Sequence, residues 1–411
     1  MNQQLRADAD RIVRESIAAV LPDAAVRRAL AEFCRPAGRL VLVAVGKAAW
    51  QMARAALDCL GGVDAGLIIT KYGHGKGELP GVQCREAGHP VPDAAGFAAT
   101  AEAMELVRPL GAEDAVLFLL SGGGSALFEQ PLVPAEELQD VTRQLLACGA
   151  DIREMNTVRK RLSAVKGGRF AQICAPARVF QIVLSDIVGD PLDMIASGPA
   201  CADRSTCAEA AAIAARYDLR LSAAARARLR EETPKEAPNV RTEITGSVRE
   251  LCAAAAESCR ALGYEPVLLT DRLCCEAREA GSFLASMLRT HSGGGKSLAF
   301  LAGGETVVHL RGSGLGGRNQ ELALAAALGL DGLPGAAVFS VGSDGTDGPT
   351  DAAGGYVDGG TAAAIRAAGL DPGALIRNND AYHALAACGG LLMTGPTGTN
   401  VNDVAVALLR G

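Results

Sequence analysis

Short runs rich in Val, Ile and Leu recur along the chain and predict buried strands over Leu40 to Val45, Leu67 to Thr70, Ala115 to Leu120, Val179 to Leu184, Pro266 to Thr270, Leu298 to Ala302, Ala337 to Val341 and Leu391 to Thr394. Ala/Leu-rich stretches with helical spacing lie between most of them: Ala48 to Leu60, Ala94 to Leu110, Ala135 to Cys148, Val248 to Leu262 and Asn319 to Leu328. Strand, helix, strand repetition predicts the α/β class, with mostly parallel sheets covered by helices on both faces. The stretch from Glu231 to Ser247 is charged, carries Pro234 and Pro238, and lacks either periodicity. It predicts a boundary near Lys235, dividing the chain into residues 1–235 and 236–411.

Chemistry gathers where the strands end. They run into Gly46-Lys47, Ser121-Gly122-Gly123-Gly124-Ser125, Ser185-Asp186, Gly303-Gly304-Glu305, Gly342-Ser343-Asp344 and Gly395-Pro396-Thr397-Gly398. In open α/β sheets that edge is where ligands bind, because backbone amides and helix N-termini point into the crevice. Glycine totals 49 of 411 residues, roughly 12% against an average near 7%. Three consecutive glycines after a buried strand leave several amides free for an anion, and their entropic cost needs a reason.

Composition narrows the picture. Hydrophobic residues are 49%, charged residues 21% and aromatics 4%, enough for packed cores built from small aliphatic side chains. A formal charge of -6 repels polyanions and argues against a nucleic-acid partner. The 12 cysteines form no Cys-x-x-Cys pair, so they read as reduced thiols and not as a zinc or redox motif. Residues 6–14 read as an amphipathic helix and not a signal peptide, and no apolar run is long enough to span a bilayer, so a cytoplasmic location is expected.

Of the 40 Lys plus Arg residues only seven are lysine, and five of those lie within two residues of a glycine turn. A compact point charge after Gly46 or before Gly167 suits a phosphoryl oxygen. The run Arg153 to Arg169, with Arg159, Lys160 and Lys166, is basic enough for a small anion. Aspartates bunch at Asp186, Asp190 and Asp193, and again at Asp344, Asp347 and Asp351. Hard oxygens at glycine-kinked spacing suit Mg²⁺, although Asx-turns and helix caps would use the same residues. Asp186, at a strand end, is the stronger metal candidate. His89 reads as fixing its loop.

Three patterns mislead. His291 to Ser297 resembles the end of a phosphate loop, but residue 290 is Thr290 and the strand follows instead of preceding it, so a surface turn is expected. Gly312-Ser-Gly314-Leu-Gly-Gly317 satisfies the dinucleotide fingerprint after the apolar run Thr306 to Leu310. Its ribose-binding acid is misplaced, because Asp331 falls before the next strand and Asp344 comes too late. Gly123-Gly-Ser125-Ala-Leu127 lacks the last glycine of a nucleophile elbow and has no evident histidine base.

The ordered set Val45-Gly-Lys-Ala-Ala49, Gly88-His-Pro-Val-Pro-Asp93, Ser121 to Leu127, Asn156-Thr-Val-Arg-Lys-Arg-Leu-Ser-Ala-Val-Lys-Gly-Gly168, Ser185 to Pro199, Gly303-Gly-Glu305, Gly317-Arg-Asn-Gln-Glu321, Gly345 to Gly354 and Gly395 to Asn400 resembles the glycerate 2-kinases with a leucine-rich carboxy-terminal MOFRL module, sometimes labelled hydroxypyruvate reductases. The likeness covers the whole chain. It implies a Rossmann-like N-terminal domain, a C-terminal α/β domain and an active site in the cleft between them. It also implies transfer of the γ-phosphoryl of ATP to the C2 hydroxyl of D-glycerate with Mg²⁺, by a monomer or homodimer. By motif, Lys47 and Arg318 are the cations expected on the transferring group. Ser121, Gly122, Gly123, Gly124, Ser125, Asn156, Arg159, Lys160 and Lys166 are expected to bind substrate or phosphate, with Glu305, Asp344 and Asp347 in support. Asp186 is expected to hold Mg²⁺ with Asp190 or to accept the hydroxyl proton. The alternative is an NAD(P)H-dependent hydroxypyruvate reductase; a non-catalytic sugar-acid sensor would need a partner surface, which the sequence does not display.

Overall fold

A computed structural model describes every residue from Met1 to Gly411. The chain forms two compact units, one of residues 25–185 and 190–245, the other of residues 1–24, 186–189 and 246–411.

The first unit carries β1 (Leu40–Val45), β2 (Ala65–Lys71), β3 (Val82–Ala87), β4 (Ala115–Leu120), β5 (Arg178–Leu184) and β6 (Val240–Gly246), in the order β3-β2-β1-β4-β5-β6. The β1–β2, β2–β3, β1–β4 and β4–β5 pairs are parallel. Every residue of β1 and β4 is buried, because both faces are covered. Leu40, Leu42, Leu117 and Leu119 pack with the helix Ala49–Leu60, while Phe118 turns the other way onto Phe128 and Phe170, at 5.8 and 4.9 Å between ring centroids. The order reverses between β1 and β4, and such a reversal opens a crevice at the carboxyl ends of the strands.

The second unit carries β7 (Glu265–Leu273), β8 (Leu298–Gly304), β9 (Ala336–Gly342), β10 (Gly354–Asp358), β11 (Leu391–Leu392) and β12 (Asp403–Leu409), in the order β11-β10-β9-β12-β8-β7. Here the expectation of a mostly parallel sheet fails. Only β7–β8 is parallel; β8–β12, β9–β12, β9–β10 and β10–β11 are antiparallel. The C-terminal strand inserts between β8 and β9, pairing Val406 with both Leu301 and Phe339. One face packs Leu301, Phe339 and Val406 under the helices Gln3–Ala19 and Val248–Ala261; the other packs Phe300, Val338 and Ala405 under Ala277–His291 and Arg318–Leu330.

The division also differs from a cut near Lys235. β6 lies at the edge of the first sheet, with Thr242 Oγ1 donating to Gln181 Oε1 at 3.1 Å, so the first unit runs on to Thr245. The N-terminal helix joins the second unit. Asn2 caps it by accepting from the Gln4 and Leu5 amides, its stripe Leu5, Ala9, Ile12, Val13 and Ile17 is buried, and Tyr264 donates to Asp8 Oδ2 at 2.6 Å. No helix is long and apolar enough to cross a membrane. All 12 cysteines are free, and burial pushes the thiols of Cys174, Cys252 and Cys259 up to about 12.

Candidate functional site

In the first unit the turns after β1 and β4 meet at the strand-order reversal. The Lys47 amide donates to Gly122 O at 2.9 Å and the Ala48 amide to Ser121 Oγ at 3.1 Å. Gly46 has φ +120°, and a Cβ there would stand 2.2 Å from Ser121 Oγ, so only glycine lets the turns approach this closely. Gly123, with φ +90°, starts the single helical turn Gly124–Leu127. The amides of Gly123, Gly124 and Ser125 donate to no protein acceptor, which leaves a concave set of donors of the kind that takes an anion. Lys47 is exposed beside them, and its ammonium makes no ion pair.

Behind these donors lies a relay of short polar side chains. Ser125 Oγ is 3.2 Å from Ser197 Oγ, and Ser197 donates to Asn156 Oδ1 at 2.9 Å. Ala196 and Ser197 hold φ of +50° and +61°, a left-handed conformation that costs non-glycine residues energy and persists only where the surroundings enforce it. Gly124 gives this turn room, since a Cβ on it would come within 2.7 Å of the Ala196 methyl.

The basic run behaves differently from a ligand-facing patch. Lys160 is buried and pairs with Asp203 at 3.1 Å and Asp193 at 3.7 Å. Lys166 is fully buried; its ammonium donates to the carbonyls of Ser125 and Phe128, both at 2.9 Å, and lies 3.4 Å from Glu129. Burial lowers its pKa to about 8 against the opposing pull of Glu129. Arg159 is half-buried with Nε unpartnered, close enough to act on Lys166. Lys160 and Lys166 therefore serve the fold, buttressing the glycine-rich turn from beneath. Asp190, with φ +52°, has a buried Oδ1 that accepts no hydrogen bond.

In the second unit Arg318 opens the helix Arg318–Leu330 and is engaged on three nitrogens. Nε and Nη2 grip Asp403 at 2.5 and 3.0 Å, and Nη1 reaches Glu305 at 3.1 Å. The pairing holds the guanidinium more firmly protonated, while burial raises the Asp403 carboxyl and Arg318 pulls it only part of the way back. Asn402 Nδ2 donates to Glu305 Oε2 and to the Asp186 carbonyl, each at 3.2 Å, so Asp186, Glu305, Arg318 and Asp403 share one network. Asp403 and Asn402 were missed in the sequence, since they stand at the head of a strand that local pattern did not separate.

Asp344 and Asp347 are structural. Asp344 Oδ1 accepts from the Thr346 amide at 2.9 Å in an Asx-turn. Asp347 is buried and caps the Arg318–Leu330 helix, accepting from the Asn319 amide at 3.1 Å and the Gln320 amide at 2.9 Å. That carboxylate occupies the helix end where a dinucleotide pyrophosphate would sit. The glycines before it are spent on protein contacts: a Cβ at Gly312, Gly314 or Gly317 would stand within 2.4 Å of Asn378, Asp380 or Asp347. Nor does Thr306 to Leu310 form a strand. The dinucleotide reading thus loses its structural support. Ser292 to Lys296 forms, as expected, an exposed turn after a helix, the one that ends at His291.

A family model described as a domain of unknown function, DUF4147, matches residues 8–230, and the MOFRL family model matches residues 298–403. A D-glycerate 2-kinase of Thermotoga maritima is 49% identical over 99% of both chains, and a glycerate 2-kinase of Pyrococcus horikoshii is 40% identical over 90% of this chain and 88% of that one. A chain of Agrobacterium vitis, provisionally named a hydroxypyruvate reductase, is 40% identical over 97% of this chain and 93% of its own. The crystal structure of a Thermotoga maritima glycerate kinase superposes with a TM-score of 0.95 at 48% identity, covering 99% of this chain and 100% of the other.

Proposed function

The chain belongs to the glycerate 2-kinase family, and on that premise we propose that it transfers the γ-phosphoryl group of ATP to the C2 hydroxyl of D-glycerate, giving 2-phosphoglycerate and ADP. It is a kinase, and its acceptor is glycerate. The observation that carries the site assignment is Lys47, a lysine without an ion pair at the sheet's order reversal, beside three glycine-turn amides without acceptors. Phosphoryl transfer asks a protein for positioning and charge stabilisation, and this is the equipment for both.

The glycerate carboxylate is assigned to the Gly123 to Ser125 amides, with Ser125 held by Ser197, which in turn donates to Asn156. Lys47 is assigned to the transferring group, and Arg318, oriented by Asp403 and Glu305, is the second cation that the family motif nominates. Asp186 and Asp190 would hold Mg²⁺, which when bound neutralises charge on the phosphoryl oxygens. The unpartnered Asp190 Oδ1 suits that duty. Mg²⁺ typically takes one or two carboxylates and completes its shell with phosphate and water, so two aspartates would suffice. The net charge of -6 favours small-molecule partners over nucleic acid; a cytoplasmic monomer or homodimer belongs to the same proposal.

Incubation with ATP, Mg²⁺ and D-glycerate, followed by enolase without any phosphoglycerate mutase, should yield phosphoenolpyruvate. ADP without phosphoenolpyruvate would move the acceptor to the C3 hydroxyl, and NADH oxidation with hydroxypyruvate would favour the reductase. Lys47→Ala should lower kcat by about 10²–10³, equivalent to about 2.7–4 kcal/mol; near-normal kcat would remove Lys47 from the transition state.

A further inference from the structure

His89 lies in the loop after β3, and its position is unlike that of the other histidines. His74, His309 and His383 each face a polar partner, and His291 stacks on Phe300. His89 is half-buried and neither ring nitrogen bonds to protein. Its imidazole edge lies over the glycine-rich turn. A Cβ placed on Gly123 would meet His89 Cδ2 at 3.1 Å, His89 Nε2 at 3.2 Å and Lys47 Cγ at 3.3 Å. The imidazole and the Lys47 stem therefore flank one point above Gly123, and a side chain at that position would fill the space they share.

The loop is held at its far end by Asp93, which accepts from the Gly96 amide at 2.9 Å and from Tyr72 Oη at 2.8 Å, and which also binds the Gly88 amide. The ring is thus mounted on fixed structure. The charged groups acting on it are Lys47, Lys71 and His74, and neither lysine is ion-paired. Such surroundings attract an anion, and an anion that also carries a hydroxyl would bring that hydroxyl to an imidazole with both nitrogens available.

We propose that His89 is a catalytic residue of this kinase, accepting through Nε2 the proton of the glycerate hydroxyl as that oxygen attacks phosphorus. The proposal rests on the kinase reading above. The hydroxyl oxygen forms the new bond to the γ-phosphorus, the bond from that phosphorus to the bridging oxygen breaks with its electron pair passing to ADP, and the proton passes to Nε2. The resting ring carries its hydrogen on Nδ1, and the imidazolium returns its extra proton to water after product leaves. Asp186 is then needed only for the metal. Burial first, and then Lys47, Lys71 and His74, hold the imidazole below its ordinary pKa, so the ring is a neutral acceptor at neutral pH.

The test is the rate of 2-phosphoglycerate formation from about pH 5 to 9 for the wild type, H89Q and H89A, with nucleotide binding and melting temperature as checks on folding. Wild-type kcat/KM should fall on the acid side as the imidazole takes up a proton. H89Q should lose about 10²-fold in kcat, with KM for glycerate changed less than about threefold and the acid limb abolished. Added imidazole should restore part of the rate to H89A, where it can enter, and none to H89Q. A folded H89Q with kcat within about threefold of wild type, or with the acid limb intact, overturns the proposal. A wild type that transfers no phosphoryl group to either hydroxyl of glycerate at any pH overturns the kinase reading itself, and this inference with it.

Discussion

Asp347 shows how far one carboxylate can be turned from the use its surroundings suggest. It stands among glycines at a strand end, yet its two oxygens cap the Asn319 and Gln320 amides. Burial raises its pKa to about 6, and the amides recover only part of that. An acid whose folded pKa lies above its unfolded value near 3.8 binds more protons folded than unfolded between those limits, so it costs stability as pH rises from about 4 to 6. Asp347→Asn keeps an oxygen for the cap and removes the titration. Urea unfolding of this variant should show the wild-type decline across that window flattened; an unchanged slope would assign the decline elsewhere. Arg318 and Asp403 make the complementary point, because the cation expected from the motif is present but is aimed by an acid 85 residues away.

At the scale of the element, the turns matter through what lies beneath them. The Gly124–Leu127 turn has its carbonyls gathered by Lys166, whose only acid is the equally buried Glu129. Lys166→Met leaves Glu129 charged in a dry site and should cost about 3–5 kcal/mol of unfolding free energy. Lys166→Met with Glu129→Leu should recover much of that loss, giving a strong coupling in a double-mutant cycle. Additive losses would show that the two side chains do not depend on each other. The same segment explains a misreading. Arg, Lys and Lys close together looked like an anion patch, but sequence spacing does not reveal that Lys160 and Lys166 point inward to Asp203 and Glu129. Strand and helix limits were more legible: Leu40–Val45 and Ala115–Leu120 stand where the apolar runs place them. β10, two of whose five residues are glycine, and the half-polar edge strands β3 and β6 carry no such run and were not legible.

At the scale of the whole molecule, the unit formed by residues 246–411 is completed by the first 24 residues. The buried Leu5, Ile12, Val13, Ile17 and Val20 each contribute roughly 1.5–3 kcal/mol, a sum comparable with the ~5–15 kcal/mol that holds a typical domain together. A chain starting at Ala25 should therefore lose the cooperative unfolding of its C-terminal half, seen by calorimetry as a missing transition and by rapid proteolysis after Thr245. Retention of both transitions would mean that the helix merely decorates the sheet.

By itself the sequence determined the α/β class, the strands β1, β2, β4 and β5 of one unit and β7, β8, β9 and β11 of the other, and the glycine turns that follow several of them, because these depend on period and backbone freedom within a few residues. It also placed Lys47 after Gly46, as a lysine set apart from the arginines that serve the rest of the surface. Only the tertiary structure decided which charges face inward, that β12 enters its sheet antiparallel, that Asp347 caps a helix and that His89 overhangs Gly123. Each of those outcomes depends on burial and on partners brought together from distant parts of the chain, and neither quantity is written into local spacing.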